Sequence, residues 1–392
     1  MTAWAAPEYR FYIAGARTGT TVAEFSMVND MNLNLMLNRP GAASFVIPQR
    51  EASLKFKNGW RTMYPGSHAL YIERDGQIIF GGVIDSVSTK NAEAGLNVTA
   101  KGWWEHFRTR LLRQRRLYSN RDVYDIIRTT WTVIDSQSQL RGPDLNMVFP
   151  VDEDRGVNRT VTYEAWELNS FASIVEAWAN ASDTEFDFAV NPTRRSGGFG
   201  LNLMFWHPER GTEIDTVLTF ERASSSPDNI ADFEFNVTLS NQATQLYGIG
   251  AGDSWTKKIS RQQAAWVPTE GNPNNPGSGY TFPDEKLDYR EFAQRDGVYS
   301  RSDIYVQAHL DSVTADRLKY VGTPPIAFGL TLSRDFEVDT QLLVPGNYAT
   351  VHIEDGYVDV NELQRITGVN LKLGDDMTEV VTLQTTRPTI EA

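Results

Sequence analysis

Three acidic residues alternate with aromatic residues in the segment DTEFDFAV, namely Asp183, Glu185 and Asp187. Alternate side chains of a β-strand share one face, so these carboxylates could supply the acid and base of a glycosidase. The simpler interpretation is a half-buried strand, in which Phe186 and Phe188 face the core and the acids face water. The same alternation recurs at Asp232, Glu234 and Asn236. Two such strands favour the structural interpretation.

Other chemical signatures are weak. The chain has no Cys, and no two of its five His residues have the spacing of a metal-binding helix or finger. The segment 151–156, VDEDRG, has its Gly one place early for a calcium loop and no closing Glu, which predicts a solvated acidic loop. The segment 247–252, YGIGAG, resembles a dinucleotide fingerprint, but no crossover helix pattern follows it. We therefore expect no catalytic residue, no cofactor and no metal.

The clearest charge feature is the arginine run, residues 108–121, which holds six Arg and no acid. Its arginines are Arg108, Arg110, Arg113, Arg115, Arg116 and Arg121. A phosphate or membrane patch is one interpretation, and a docking face for acidic groups of a neighbour or of the same chain is another. Arginine is enriched at protein interfaces and pairs with carboxylates in bidentate geometry, so we favour the neighbour.

Composition bounds the function further. The chain has 392 residues and a net charge of −13, so general binding of nucleic acid through phosphates is excluded as its main role. The N-terminal segment lacks the pattern of a signal peptide, and no apolar run approaches the length of a membrane span. We expect a soluble protein made in a cytoplasm. Five tryptophans fall in predicted elements and are expected to pack in the core rather than stack on sugars: Trp103, Trp104, Trp166, Trp178 and Trp206.

The elements that position these residues fall into three blocks. Residues 1–104 read as strands, with a Pro-Gly turn inside 33–48, a hairpin at 68–90 that contains Gly81 and Gly82 as bulge or kink positions, and a strand at 95–103. Residues 105–226 read as an α+β domain with helices at 119–134 and 167–182. Residues 227–392 return to strands, with a long loop at 253–283 and a helix at 302–321 inserted.

The first helix pattern begins with the cap candidates Ser119 and Asn120. Its apolar face comprises Val123, Ile126, Ile127, Trp131 and Ile134, and that of the second comprises Leu168, Phe171, Ile174, Val175 and Trp178. For the third helix, Ser302 is the predicted cap and Gly322 the predicted stop. The loop at 253–283 contains too few apolar residues to order itself, so we expect a partner to order it.

A hairpin sequence occurs twice. Residues 71–87 read YIERDGQIIFGGVIDSV, and residues 351–370 read VHIEDGYVDVNELQRITGVN, each with an Ile-Glu pair, an Asp-Gly turn and a following apolar strand. Asp-Gly is a common turn signal, so these residues alone leave chance and duplication equally open.

The order of motifs resembles the minor tail proteins that form the tail tip hub of long-tailed actinobacterial, mycobacteriophage-like phages. The likeness rests on LMLNRPGAASFVIP, ERDGQIIFGGVI, LNVTAKGWWEHFRTRLL, YEAWELNSFASIVEAWANASDTEFDF, NVTLSNQATQLYGIGAG and the closing LLVPGNYATVHIEDG…EVVTLQT. One departure is Asn347, where the pattern would place Asp before the strand, and it puts only a turn contact in doubt.

The resemblance implies a fold similar to a baseplate central hub, α+β and mainly β. Two tail-tube-like β-barrel domains, 1–104 and 227–392, would flank the α/β domain 105–226, and each hairpin copy would belong to one barrel, which favours duplication. It implies a homotrimer with pseudo-sixfold symmetry, located at the tail tip of the virion and assembled in the host cytoplasm. Its implied partners are the distal tail or tube protein, the tape measure protein and other minor tail proteins, with genomic DNA passing without specific binding and the host envelope reached indirectly. A receptor- or carbohydrate-binding tip protein is the alternative, and a glycosidase or peptidase has only the acidic strands in its favour.

Overall fold

A computed structural model describes most of the chain, in segments that the following ranges give. They are residues 7–51, 59–89, 95–137, 147–149, 158–179, 186–207, 209–214, 218–222, 229–237, 242–252, 256–263, 294–300, 306–322, 326–333, 342–374 and 378–386. The chain divides into two compact units: unit 1 comprises 1–234 and 329–385, and unit 2 comprises 235–328 and 386–392. The predicted acidic loop at 151–156 lies outside the described residues.

The first block is built of strands, as predicted. They are β1 (Tyr9–Gly15), β2 (Thr21–Phe25), β3 (Asn29–Met36), β4 (Ala42–Ile47), β5 (His68–Arg74), β6 (Gln77–Ser88) and β7 (Leu96–Gly102). A 3-10 helix at Gly59–Met63 precedes β5.

The middle block alternates helices and strands. It comprises α1 (Trp103–Phe107), β8 (Arg116–Asp122), α2 (Val123–Ser136), β9 (Met147–Val148), β10 (Asn158–Tyr163), a 3-10 helix (Ala165–Glu167), α3 (Phe171–Ala179), β11 (Asp187–Arg195), β12 (Gly198–Trp206) and β13 (Thr219–Arg222).

Strands dominate the last block, with one helix among them. It comprises β14 (Ile230–Val237), β15 (Gln245–Ile249), β16 (Ile259–Gln263), β17 (Asp296–Ser300), α4 (Gln307–Val321), β18 (Ile326–Leu332), β19 (Tyr348–Asp355), β20 (Val358–Leu373) and β21 (Glu379–Thr386).

One large sheet joins the first and last blocks. Its order is β14-β18-β21-β20-β3-β4-β7-β6-β5-β1-β2. Off this path, β19 pairs with β20, and β13 pairs with β19. β20 has 16 residues, and its two halves have different neighbours, β19 and β3. The chain leaves unit 1 in β14 and returns in β18. The mainly β, α+β prediction is confirmed. In the described residues the strand order is an open path, so the two barrels and the boundaries 1–104, 105–226 and 227–392 stay predictions.

Both copies of the repeated sequence form hairpins of this sheet, but with different turns. In the first, β5 and β6 are joined by Asp75 and Gly76, and both have positive φ, which is the type I′ geometry. In the second, Gly356 and Tyr357 join β19 to β20, and only the glycine has positive φ. In the first hairpin Asp and Gly are the two loop residues, whereas in the second Asp355 ends the strand and Gly356 is the first loop residue.

The glycine pair in β6 has a different role from the one predicted. The pairing of β6 with β5 shifts register opposite the step from Ile72 to Glu73, before the glycine pair. The pairing of β6 with β7 shifts register between Ile84 and Ser86, after the glycine pair. A Cβ on Gly81 would lie 2.8 Å from the Pro192 side chain, and one on Gly82 would lie 2.2 Å from a carbonyl oxygen of β7. The glycines permit close packing, and the irregularities lie beside them.

The helices of the middle block bury most of the predicted faces. All five apolar residues predicted for α2 are buried, and in α3 Phe171, Ile174 and Val175 are buried. The prediction was wrong for Leu168, which is exposed because α3 begins only at Phe171, and Trp178 is half-buried. The cap of α2 is Asp122, whose side chain accepts from the backbone N of Tyr124 at 2.8 Å. The predicted caps Ser119 and Asn120 were wrong because β8 continues through them to pair with β10.

A shared core joins the first two blocks. Trp103, Trp104 and Phe107 pack with the buried faces of α2 and α3 and with aromatic side chains of β11 and β12. Gly19 and Phe199 also meet at the backbone, where the N–H of Phe199 donates to Gly19 O at 2.9 Å. A Cβ on Gly19 would lie 1.9 Å from the Phe199 carbonyl oxygen. The Phe199 ring then stacks on Tyr71 with centroids 4.1 Å apart.

Unit 2 is a small α+β unit. Its sheet has the order β16-β15-β17, and α4 packs beside β15 and β16 around Leu246, Leu310 and Leu318. β16 lies inside the segment 253–283, so the prediction that this whole segment is loop was wrong there, while 264–283 lies outside the described residues. The helix begins at Gln307, later than predicted, and Ser302 lies outside the described residues.

Candidate functional site

The arginine run connects α1 to α2 through β8, on the surface of unit 1. Arg108, Arg113, Arg115 and Arg121 are exposed, whereas Arg110 and Arg116 are half-buried. The strand β8 pairs only with β10 in a two-stranded ribbon, in which Arg116 lies opposite Tyr163 and Arg121 opposite Arg159. Arg108 follows α1 directly, Arg110, Arg113 and Arg115 lie on the segment that leads to β8, and Arg116 and Arg121 lie on β8.

Acidic groups of the same chain pair with four of these arginines. Arg108 contacts Glu176 at 3.0 Å, and Arg115 contacts Glu164 at 3.0 Å. Two further ion pairs join Arg110 to Asp135 at 3.7 Å and Arg121 to Asp125 at 2.9 Å. Intrachain partners were the alternative that the sequence left open. The interface with a neighbour stays a prediction, carried mainly by Arg113, which is exposed.

A rigid turn beside the arginine run presents two apolar side chains to solvent. This Trp166 turn, residues 164–168, is closed by a capping box in which the Glu164 N–H donates to Glu167 Oε2 at 3.1 Å. Trp166 is 75% exposed, and Leu168 is 51% exposed with φ at 48°. The prediction that Trp166 packs in the core was therefore wrong. Residues 164–167 read EAWE, without the Ser or Thr of the usual capping-box signature, so neither the turn nor the exposure of the indole had a clear sequence signal.

The other predicted tryptophans do pack. Trp103 and Trp104 are buried, and the Trp104 Nε1 donates to Glu176 at 2.8 Å. The half-buried Trp178 donates to the hydroxyl of Tyr163 at 2.8 Å. Trp206 is half-buried below the guanidinium of Arg210, 4.6 Å from it. Core packing therefore accounts for these four residues.

The prediction that the acids of DTEFDFAV face water was wrong for Asp187. It is 5% exposed and accepts hydrogen bonds from Asn38 Nδ2 at 2.6 Å and from the backbone N of Arg210 at 2.5 Å. Its third partner is Arg365 Nη2, which forms an ion pair with it. This Asp187 junction ties β11 to β20 and to the turn after β3. Asp183 and Glu185 lie outside the described residues.

Charge and burial shift two groups near this junction. Burial lowers the pKa of Arg210, and the nearby Arg365 lowers it too, while Asp187 opposes both. Burial also raises the pKa of Tyr348, and the nearby negative charge of Glu209 raises it further. Each carboxylate here lies beside an arginine, since Glu209 also contacts Arg365 at 3.3 Å. The junction has the chemistry of a structural clamp.

A cleft of about 440 Å³ opens in unit 1 between the β3–β4 turn, the β5–β6 hairpin and β11. Trp103, Trp104 and Phe188 line it, together with Arg39 and Arg210. Asp75 is the one acid among its described lining residues, and Arg74 binds it at 3.0 Å. The acid pair that glycoside hydrolysis needs is thus not assembled by the described residues of this cleft.

Most of the remaining motifs take their simpler interpretations. On β14, Asp232, Glu234 and Asn236 are exposed as predicted, but the prediction of a half-buried strand was wrong, because Phe235 and Val237 on the opposite face are exposed as well. YGIGAG forms the end of β15 and a Gly-rich turn, and the antiparallel strand β16 follows it where a nucleotide-binding fold has a helix. Among the described residues, no three His, Asp or Glu side chains lie together as a metal site requires. No helix in the described segments is long and apolar enough to span a bilayer.

The second hairpin ends in a cluster of like charge. Glu354 and Asp359 lie directly opposite each other on β19 and β20, and both are exposed. Asp355 contacts Arg222 at 2.9 Å, and Tyr357 at the turn is fully exposed. Residues 354–359 are called the acidic hairpin end below. Like charges placed opposite each other destabilise a strand pair, so the hairpin end gains from any basic partner.

Solved structures define the class of fold. No known family matches the sequence, and no curated protein matches it. The tail protein from Neisseria meningitidis MC58 is 13% identical, with a TM-score of 0.56 over 97% of this chain and 97% of that one. The 43 kDa tail protein of prophage MuSo2 from Shewanella oneidensis is 9% identical, with a TM-score of 0.57 over 98% and 99%.

A third structure agrees. The prophage tail protein gp18 from Listeria monocytogenes EGD-e is 11% identical, with a TM-score of 0.54 over 98% of this chain and 95% of that one. At these identities the likeness shows a shared fold. The chain has the fold of these tail proteins over nearly its whole length.

Proposed function

We propose that this protein is a structural component of a phage tail, and that it forms the central hub of the tail tip. The observation that carries the proposal is the whole-chain likeness in fold to three tail proteins, each covered over at least 95% of its length. The ordered sequence resemblance to hub proteins of actinobacterial phages supports the finer assignment. The protein acts through its surfaces, without a catalytic residue, cofactor or metal.

In the proposed hub, three chains form a ring around a channel. Each chain contributes two tail-tube-like domains, 1–104 and 227–392, so that six similar domains meet the sixfold tail tube, and 105–226 lies between them. Both repeated segments being hairpins of the same sheet supports this arrangement. A closed ring also protects strand edges that would otherwise aggregate.

The channel would let DNA pass without holding it. Three chains together carry −39, so a lumen rich in phosphate contacts is unfavourable, and we expect the channel wall to be acidic or neutral. The partners of such a hub are the distal tail or tube protein, the tape measure protein and other minor tail proteins. The hub acts in the virion after assembly in the host cytoplasm and reaches the cell envelope indirectly.

Imaging of assembled tails without imposed symmetry tests the proposal. The expected result is three copies at the tip, with the hairpins at 71–87 and 351–370 in matching places about 60° apart around the axis. A single copy, six copies, a lumen lined mainly by Lys and Arg, or absence from the tip would overturn it.

A receptor- or carbohydrate-binding tip protein is the second candidate, and the exposed indole of Trp166 is the observation that favours it. Binding of the isolated protein to a glycan array, lost in Trp166→Ala, would replace the hub proposal.

A further inference from the structure

We propose that the Trp166 turn and the adjacent arginine run form a docking surface for the acidic hairpin end of a second copy of this chain. The inference rests on the proposed function only for the closure of the ring at three copies. The inference names the two surfaces that meet. Each chain carries both of them, at different places.

Hydrogen bonds within the Trp166 turn and to the segments beside it hold the turn in place. Besides the capping box, Asn169 Nδ2 donates to Glu167 Oε2 at 2.8 Å. The backbone N of Leu112 donates to Asn169 O at 2.9 Å, and that of Phe171 donates to Arg110 O at 2.7 Å. A turn fixed in this way loses little conformational entropy when its side chains are buried by a partner.

The turn nevertheless presents an energetically unfavourable surface to water. A non-glycine residue at positive φ costs about 1–2 kcal/mol, and Leu168 adopts that conformation while exposing half of its side chain. Trp166 is exposed beside it, and Leu117 on β8 is 64% exposed. Tryptophan is among the residues most enriched at binding hot spots, and backbone strain concentrates at functional positions.

The charge around the turn is basic. The acids Glu164 and Glu167 are both engaged in closing the turn. Arg115 is bound to Glu164 but two-thirds of its side chain is exposed, and the exposed Arg113 has no ion pair among the described residues. In a chain of net charge −13, this surface is complementary to most of the protein's own exterior.

The acidic hairpin end has the matching properties. Its opposed pair, Glu354 and Asp359, has no basic partner among the described residues, and Tyr357 stands fully exposed between the strands. An acidic pair with an aromatic tip fits a basic surface with an exposed indole. Docking would relieve the repulsion between the two carboxylates and bury both aromatic rings.

Such a contact is heterologous, because one surface of each chain meets a different surface of the next. Heterologous contacts either close into rings or continue as open filaments. A ring of three is therefore an outcome that this contact can produce, whereas a twofold dimer would require both contacts to form at once between the same two chains.

Charge reversal in the full-length protein tests the contact. The variants are Arg113→Glu with Arg115→Glu, Glu354→Lys with Asp359→Lys, and all four together. The molar mass is measured by sedimentation over a range of protein concentrations, at about 0.05 M and about 0.5 M salt. Each double reversal should weaken association at least about tenfold, and the fourfold variant should restore it to within about threefold.

Trp166→Ala tests the apolar contribution of the turn to association. Tyr64→Ala is its matched control at another exposed aromatic residue of unit 1. We expect association at least about tenfold weaker for the first and unchanged for the second. Circular dichroism and thermal unfolding confirm that each variant is folded. Unchanged association in the reversals, failure of the fourfold variant to restore it, or a wild type that stays monomeric would each overturn the inference. The proposed function fails separately, if imaged tail tips lack the protein.

Discussion

Arg365 donates through Nη2 to Oδ2 of Asp187, across 178 positions of sequence, and both residues are almost fully buried. The pair joins β20 to β11, and the same carboxylate holds Asn38 after β3. Three segments from distant parts of the chain thus converge on one carboxylate. Its removal would leave a buried guanidinium with too few partners.

Asp187→Ala should therefore lower the free energy of unfolding by about 3–5 kcal/mol, since it leaves the buried Arg365 with the longer contact to Glu209 and removes the acceptor of Asn38 and of the Arg210 backbone N. Replacing both residues, as Asp187→Leu with Arg365→Met, should cost clearly less than the sum of the two single changes, Asp187→Leu and Arg365→Met. Urea denaturation measures the stability of all four variants. The exposed pair of Arg121 and Asp125 is the control, and Asp125→Ala should cost less than about 1 kcal/mol. A cost of the double variant equal to the sum of the two single costs would contradict an energetic coupling between Asp187 and Arg365.

Alkaline pH should destabilise the protein through its buried tyrosines. Burial raises the pKa of Tyr71 above its usual value of 10.0. Above pH 10.0 the unfolded state loses the phenolic proton that the native state retains, so this contribution is complete below that pH and falls as pH rises.

Tyr71→Phe should remove about 1.4 kcal/mol in total from the decline between about pH 9 and about pH 11, measured by urea denaturation. Tyr64→Phe, at an exposed position, is the control and should keep the wild-type slope. If the two substitutions gave the same slope, the burial argument would not hold.

Gly19→Ala should cost at least about 3 kcal/mol, because the new Cβ would lie 1.9 Å from the carbonyl oxygen of Phe199 and φ is positive at this position. Gly76→Ala is a matched control, since its φ is also positive but nothing lies within 4 Å of the new atom. It should cost about 1–2 kcal/mol, the backbone strain alone. Thermal unfolding separates the two, and equal costs would mean that the contact can relax.

Asn347→Asp should destabilise the turn before β19 by about 1–3 kcal/mol. The asparagine accepts from the backbone N of Thr212 at 3.1 Å and donates through Nδ2 to Leu342 O at 2.9 Å, and a carboxylate cannot donate. The loss should shrink near pH 4, where a protonated acid regains a donor. Asn236→Asp, at an exposed position, should be close to neutral when unfolding is followed in urea.

Local patterns in the sequence predicted local structure well. The apolar period of α2 identified its buried face, and the Asp-Gly signals identified both hairpins, because these features depend on neighbouring residues. The cap of α2 was misplaced, since Asn120 reads as a cap but lies at an irregular position inside β8, whose residues on either side pair with β10. Turn and strand signals compete there, and a distant partner decides.

Long-range relationships could not be read in the same way. Asp187 has the pattern of a solvent-facing strand residue, and only the arrival of Arg365 from β20 makes its burial favourable. The exposure of Trp166 is likewise a property of the surface, since a tryptophan beside an apolar helix reads as core. The arginine run was recognised from composition, whereas the carboxylates of the same chain that pair with it could be identified only in the folded structure.

The β3–β20 ladder has a consequence for the order of biosynthesis. Residues 31–36 pair with residues 368–373, so β3 keeps an open edge until the ribosome has made almost all of the chain. At about 5–20 residues per second, that edge waits for tens of seconds. An unpaired edge of this kind can recruit other nascent chains, and late closure makes folding slow. A cell that makes many copies at once would therefore gain from any chaperone that covers this strand until β20 has been made.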